Sequence, residues 1–549
     1  MASFSIFSKI LLPILFFIFF FISHSFSSSS NNYSLSNIVI NSTSEFINHT
    51  AISEFRILNR RVLSECPDPN PYISITTSSN SKLSDEDFVT VHISGILVPS
   101  KGDWVAMISP SHADTSSCPF NGIQYQQTGD FSELPLLCHY PVKMRVTWIS
   151  GDKAPQQLQY GDGQSQTSQV STFTQNDMCS SLLKSPAKDF GWHDPGFIHS
   201  AVMTGLNPST TYSYTYGSDS SGWSEKINFK TPPAGGTDEV RFLAYGDMGK
   251  APRDPSAEHF IQPGSLSVVK AMADEVSAGN VDSIFHIGDI SYATGFLVEW
   301  DYFLQLITPV ASHVSYMTAI GNHERDYIGT GSVYVTPDSG GECGVPYETY
   351  FQMPTPAKDK PWYSIEQGSV HFTVISTEHD WSQNSEQYEW MKNDMTSVDR
   401  TRTPWLVFTG HRPMYSSVNG GILKNVDENF VKDVEPLLLE NKVDLALWGH
   451  VHNYERTCAV YQEECKTLPT KDASGIDTYD NTNYSAPVHA VIGMAGFSLD
   501  QFPSKADEWS LVRTTEFGYV RVHATRNALT IEYVNANTRK LEDSFQITR

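Results

Sequence analysis

The chain has 549 residues, 40% hydrophobic, 12% aromatic and 18% charged. That is the composition of a packed protein of more than one domain, and it excludes a wholly disordered or fibrous chain. With 37 basic against 61 acidic residues the formal charge is −24, which excludes a general nucleic-acid-binding surface, since such a surface needs clustered positive charge. A local anion site stays open, because a bound metal ion outweighs the carboxylates around it.

Residues 1–27 read as a signal peptide. Lys9 precedes an apolar run from Ile10 to Ile22, and Ser25-Phe26-Ser27 offers small residues where a signal peptidase cuts. The run is short for a membrane span. No later stretch approaches ~18 unbroken apolar residues, and the C-terminus lacks a lipid-anchor tail. A secreted protein, extracellular or in the cell wall, is therefore expected. Residues 28–65 are rich in Ser and Asn, with little periodicity, and read as a peripheral lead-in. Sequons at Asn32, Asn41 and Asn48, with a fourth at Asn483, mark candidate glycosylation sites. An oxidising compartment permits disulfides. Seven cysteines leave at least one unpaired within the monomer. Cys458 and Cys465 are close enough to close a small loop, Cys118 and Cys138 could staple a hairpin, and the remaining pairing stays open.

Residues 66–140 read as a small β-rich region and 141–233 as a β-sandwich. Phe88–Ser94, Met144–Ile149 and Thr211–Tyr216 alternate with period two, which places Tyr212, Tyr214 and Tyr216 on one face for packing. Turn signals separate the runs. Gly205–Tyr214 resembles the late strands of a fibronectin type III domain. Thr231–Asp238 is a linker by composition. Beyond it strand and helix alternate: strands are expected at Val240–Tyr245, Val281–Ile287, Ser315–Ile320, Val370–Ile375, Trp405–Thr409, Val443–Trp448 and Val488–Ile492, and helices at Ser265–Ala278 and Val298–Val310. This rhythm predicts an α/β domain with a largely buried sheet.

Polar residues stand just after five of those strands: Gly246-Asp247-x-Gly249, Gly288-Asp289-x-x-Tyr292, Gly321-Asn322-His323-Glu324, Gly410-His411-Arg412-Pro413 and Gly449-His450-x-His452. Ligands bind outside the carboxyl ends of strands in α/β sheets, so the five ends form one polar focus. Carboxylate, phenolate and amide oxygens suit a hard ion, and imidazole suits a divalent transition metal. His450 and His452 share a face on an extended strand end, so one can serve each ion of a pair. Two ions about 3.5–4 Å apart form a clamp suited to phosphoester hydrolysis. His286, inside an apolar strand, reads as core.

In that order these motifs resemble the metallophosphoesterase pattern over residues 238–535, and Tyr292, three residues after Asp289, resembles the purple acid phosphatases. The β-sandwich upstream is similar to their long plant-type members. Gly340–Pro346 with Gly410–Pro413 is similar to a subgroup known as nucleotide pyrophosphatase/phosphodiesterases or as probable inactive members. The resemblance implies a fibronectin type III-like sandwich followed by an α/β metallophosphoesterase domain with a β-sandwich core flanked by helices. It implies Asp247, Tyr292 and His452 as ligands of an iron(III) ion, Asn322, His411 and His450 as ligands of a divalent zinc, manganese or iron ion, and Asp289 as a bridge. It implies an acid phosphatase in which a metal-bound hydroxide attacks phosphorus.

His323, next to Asn322, is the candidate catalytic acid. It would bind the substrate phosphate together with Asn322, and Arg412 is a further candidate for that anion beside its reading as a structural ion pair. The substrate is expected to be a small phosphorylated molecule: a phosphomonoester, nucleotide or phosphodiester. The oligomeric state is left open, a homodimer included. The sequence departs from the family in the loop Met414–Gly421, which carries no histidine where well-known plant members have further phosphate-binding histidines. Tyr415 or Asn419 would have to substitute, with an aromatic ring available to stack on a base. Two other readings stand beside the phosphatase: a nucleotide pyrophosphatase/phosphodiesterase with weak monoesterase activity, and a metal-containing but catalytically inactive cell-wall protein.

Overall fold

In the computed structural model the described residues are 142–549, without 181–182, 251–261, 419 and 421–423, together with the backbone of four upstream strands. The chain divides into two compact units, Met1–Tyr140 and Pro141–Arg549. In the first, Phe55–Asn59 pairs antiparallel with Asp103–Met107, and Ser74–Thr77 with Val91–Ser94. The Phe55–Asn59 strand falls in the stretch read from sequence as lacking periodicity. Five residues paired with a segment more than 40 positions away leave little local pattern to read. The proposed leader, the sequons at Asn32, Asn41 and Asn48, and the Cys118–Cys138 pairing lie outside the described residues.

The second unit opens with a β-sandwich. Val142–Ser150, Phe197–Leu206 and Gln169–Ser171 form one sheet; Gln157–Tyr160, Gln164–Thr167, Thr211–Ser218, Gly222–Trp223 and Ile227–Lys230 form the other. Alternation drives the packing: Trp148, Leu158, Met203, Tyr214 and Phe229 point into one core, with Tyr212 and Tyr216 against its edge. The expected tyrosine face is present and structural.

After the linker the strands read as continuous buried runs, the pattern of parallel strands covered on both faces. Ser315–Ala319, Ser283–Ile287 and Val240–Tyr245 run parallel and continue into antiparallel Gly518–Ala524, Ala528–Asn535 and Leu541–Thr548. Val370–Val374, Trp405–Gly410, Leu445–Trp448 and Val488–Ile492 form a second parallel set, edged by Tyr363–Gln367 and Tyr454–Tyr461. The alternation of strand and helix alone suggested one sheet. The chain instead starts a new sheet after residue 319, and the two pack face to face, with the Phe285 and Phe372 rings 4.3 Å apart. Helices Ser265–Ser277 and Val298–Ala311 cover the outside of the first sheet, and Glu386–Ser397 and Glu428–Glu440 the outside of the second. The last strand, Leu541–Thr548, pairs with both Ala528–Asn535 and Asp477–Asp480, so the sheet continues past residue 535.

Among the described residues two disulfides are present. Cys458–Cys465 closes the small loop expected from its spacing. Cys179–Cys343 joins positions 164 residues apart, tying the sandwich to the α/β domain. Among the described residues no helix is long and apolar enough to cross a membrane. His286 is core: it is fully buried, its Nδ1 lies 2.9 Å from the Tyr316 hydroxyl, and burial pushes it down to about 3, so it stays neutral.

Candidate metal centre

Three strands of the first sheet and two of the second end at one place. Asp247 follows Val240–Tyr245, Asp289 follows Ser283–Ile287, and Asn322 and His323 follow Ser315–Ala319. His411 follows Trp405–Gly410, and His450 and His452 follow Leu445–Trp448. The backbone there is strained: Asp247, Asp289, Tyr292 and His450 all have φ between 51° and 69°. Side chains rarely occupy that region, and such strain collects at functional sites. The neighbouring glycines are required sterically. A Cβ on Gly321 would stand 2.3 Å from Asp289 Oδ1, and one on Gly288, itself at φ +76°, 2.4 Å from His411 Nδ1.

The donors converge in two groups that share Asp289. Asp289, His411 and His450 form one, and Asp247, Asp289 and His452 the other, each with its ligand atoms within 4.8 Å of one another. Tyr292 and Asn322 complete the groups by geometry. The Tyr292 hydroxyl lies 3.1 Å from Asp247 Oδ1 and 3.0 Å from His452 Nε2. Asn322 Oδ1 lies 2.9 Å from His411 Nε2 and 3.0 Å from His450 Nδ1. All seven sequence-expected ligands are therefore brought together. Four oxygens and three imidazoles in a buried cluster are a donor set suited to two cations.

Outer partners orient the rings. His411 Nδ1 donates to the Ile287 carbonyl at 3.1 Å and His452 Nδ1 to the Ser498 carbonyl at 3.1 Å, which turns each Nε2 inward. The charges are mutually adjusted. Burial disfavours ionisation of Asp289, but His411 and His323 hold it well below the usual carboxylate range. Burial pushes Asp247 up. Burial, Asp247 and Asp289 push the Tyr292 phenol well above its ordinary value. His450 is held well below its ordinary value by burial and then by Arg412. His411 resists its burial and is raised to about 10 by Asp289 and Asp247.

His323 sits at the rim of this cluster with its side chain 18% exposed and its Nε2 3.8 Å from Asp289 Oδ2. Its Nδ1 donates to the Asp338 carbonyl at 3.1 Å. Arg412 is buried in an ion-pair network: its Nε contacts Glu378 at 3.1 Å and a terminal nitrogen contacts Asp326 at 2.9 Å, while the other reaches His450 Nε2 at 3.2 Å. Its guanidinium also lies 4.0 Å from the Tyr334 ring. The structural ion pair weighed for it from sequence is thus present.

The expected role of Tyr415 is overturned. Tyr415 is buried, packs against His489 and Trp509, and donates its hydroxyl to Glu435. Ser417 donates to Glu455. The loop turns into the core because Met414 and Tyr415 are apolar enough to fill it. Asn419 lies outside the described residues. Asn483 is exposed.

Sequence reasoning missed several neighbours. Glu324 accepts from the backbone N–H groups of Asp289, Ile290 and Gly321 at 2.7–3.0 Å; its place three residues into a helix start is the available signal. Phe497, stacked on Tyr292 at 4.4 Å, and Asp338 come from irregular segments without periodicity.

Four family descriptions match the chain. They are "Fn3-like domain from Purple Acid Phosphatase" at residues 73–172, "Purple acid Phosphatase, N-terminal domain" at 139–231, "Calcineurin-like phosphoesterase" at 240–454 and "Iron/zinc purple acid phosphatase-like protein C" at 486–544. The chain is 36% identical over 550 positions to Probable inactive purple acid phosphatase 27 of Arabidopsis thaliana, covering 85% of this chain and 88% of that one. It is 36% identical to a nucleotide pyrophosphatase/phosphodiesterase of Hordeum vulgare over 60% of this chain and 88% of the relative. The solved structure of purple acid phosphatase PPD1 from yellow lupin seeds superposes with a TM-score of 0.68 at 38% identity, covering 74% of this chain and 72% of that one.

Proposed function

The chain belongs to the purple acid phosphatase family, and on that footing we propose that it is a secreted acid hydrolase of phosphate esters. Its family holds a binuclear metal centre. In the proposed assignment Asp247, Tyr292 and His452 hold an iron(III) ion, Asn322, His411 and His450 hold a divalent zinc, manganese or iron ion, and Asp289 lies between. When bound, the pair supplies Lewis-acid polarisation of a phosphoryl oxygen and a water acidified for attack on phosphorus. The chain's own residues do the rest. Asp289 aligns the two donor groups. His323, at the rim of the cluster with Nδ1 donating to the Asp338 carbonyl, would act as the imidazolium, donating a hydrogen bond from Nε2 to the phosphate and a proton to the leaving oxygen. Arg412 acts on the site through His450 rather than on the substrate.

The proposed organisation keeps residues 1–27 as leader, 28–65 as glycosylated lead-in, 66–140 and 141–233 as β domains, and the catalytic domain from 238 onward. Asn483, being exposed, remains a candidate for glycan.

The observation that carries this reading is the pair of donor groups sharing one carboxylate, with His323 at its edge. The chemistry fits a phosphodiester or nucleotide diphosphate bond at least as well as a monoester. The loop after His411 offers no imidazole for a second negative charge, and the barley relative bears a phosphodiesterase name. Elemental analysis of the purified protein with paired kinetics on p-nitrophenyl phosphate and bis-p-nitrophenyl phosphate tests it. Two ions per chain and comparable kcat/KM on both esters are expected. A monoester preference of ~10²-fold, about 2.7 kcal/mol, would reject the diesterase reading. Two ions without turnover of either ester would make the protein a silent metal binder.

A further inference from the structure

An asparagine ligand has a difficulty that a carboxylate does not. Its oxygen and NH2 group are nearly the same shape, and only the oxygen binds a cation. Something must fix which end faces the site. Here the Asn322 NH2 donates to Asp338 Oδ2 at 3.1 Å, and Oδ1 faces His411 and His450. An ionised carboxylate only accepts hydrogen bonds, so the NH2 must turn toward Asp338 and the oxygen toward the two histidines. The same residue's carbonyl accepts from His323 Nδ1 at 3.1 Å.

The loop that carries Asp338 is itself held. The Ser339 backbone and hydroxyl both donate to the Asp326 carbonyl at 2.9 and 2.8 Å. The Gly340 carbonyl accepts from Ala187 N and Ser185 Oγ at 3.0 and 2.9 Å. Glu342 accepts from Trp300 and from Gly295 N at 2.8 Å. Cys343 is bonded to Cys179.

We infer that Asp338 is a positioning residue: its carboxylate sets the Asn322 amide for the divalent half of the centre, and its carbonyl orients the His323 ring. The inference rests on the reading of Asn322 as an oxygen ligand. Equilibrium dialysis of the full-length protein against zinc, read by elemental analysis, tests it beside turnover. Asp338→Ala is expected to weaken the second, zinc-exchangeable site about 10–100-fold while the other ion stays, and to recover kcat as zinc is raised to excess. A merely structural role would give no such recovery. Asp338→Asn keeps the shape but adds N–H donors, so the Asn322 amide is no longer held one way round and zinc should bind more weakly than in the wild type.

A wild-type chain that holds no ions overturns the metal-centre reading and this inference with it. A wild type with two ions, matched in zinc affinity by Asp338→Ala, overturns the inference alone. If the alanine variant does not fold, Asp338→Asn decides: a loss of zinc affinity supports the role, and wild-type affinity rejects it.

Discussion

The two halves of the centre are set against different backings. The Tyr292 half is lined by aromatic surface: Phe497 stacks on Tyr292 at 4.4 Å and packs 4.7 Å from His452. The Asn322 half is lined by charge, with Arg412, Asp326 and Glu378 behind His450, and Asp338 behind Asn322. One fold has thereby prepared two kinds of donor. Burial and two carboxylates hold the Tyr292 proton on. On the other side burial and the Arg412 cation keep His450 neutral.

The largest expected effect separates the halves outright. His452→Ala and His450→Ala should each abolish turnover, but of the two only His452→Ala should also remove the visible band expected of a Tyr292–iron(III) bond in the iron-loaded protein, and Tyr292→Phe should remove it too. Absorption spectra with elemental analysis check this, and loss of both ions in either variant would show that the halves do not load separately. Next, His323→Ala should keep both ions and lose ~10²–10⁴-fold in kcat; an emptied site would make His323 a ligand. Third, Arg412→Met strips the cation from buried Glu378 and Asp326 and should cost about 3–5 kcal/mol of stability. Denaturant titration measures it, and the visible band of the aromatic half should survive.

The smallest effect serves as a control outside both halves. His371 lies 3.2 Å from Asp394 and 3.6 Å from Glu366. Burial pushes it down, but the two carboxylates hold it up to about 9. A raised value means its contribution is full below the ordinary histidine range and is lost as pH rises through about 9. It amounts to about 3 kcal/mol. His371→Gln should therefore destabilise more near pH 6 than near pH 10, with the centre unaffected. Equal destabilisation at both would locate the effect in packing.

The candidate ligands were legible because five of the seven directly follow a glycine at the end of an apolar run, with Tyr292 three residues beyond Asp289 and His452 two beyond His450, a local pattern that survives without the fold. Their backing was not. Phe497 and Asp338 reach the centre from irregular segments, and Cys179–Cys343 joins residues that no spacing relates. Tyr415 was misread for a physical reason: a tyrosine beside a methionine in a loop serves equally well as core filling, and here the core behind Glu428–Glu440 takes it. The two-sheet division came with the family resemblance and not with the strand–helix rhythm, since a parallel strand looks the same in either sheet.

The bond between Cys179 and Cys343 also spans the linker at Thr231–Asp238. A single cut in that linker would leave both pieces joined as one particle, separating on a gel only after reduction. The nicked pieces would rejoin as an intramolecular event, at an effective concentration in the millimolar range or above. The sandwich is then held to the α/β domain by a second covalent tie as well as by the chain itself.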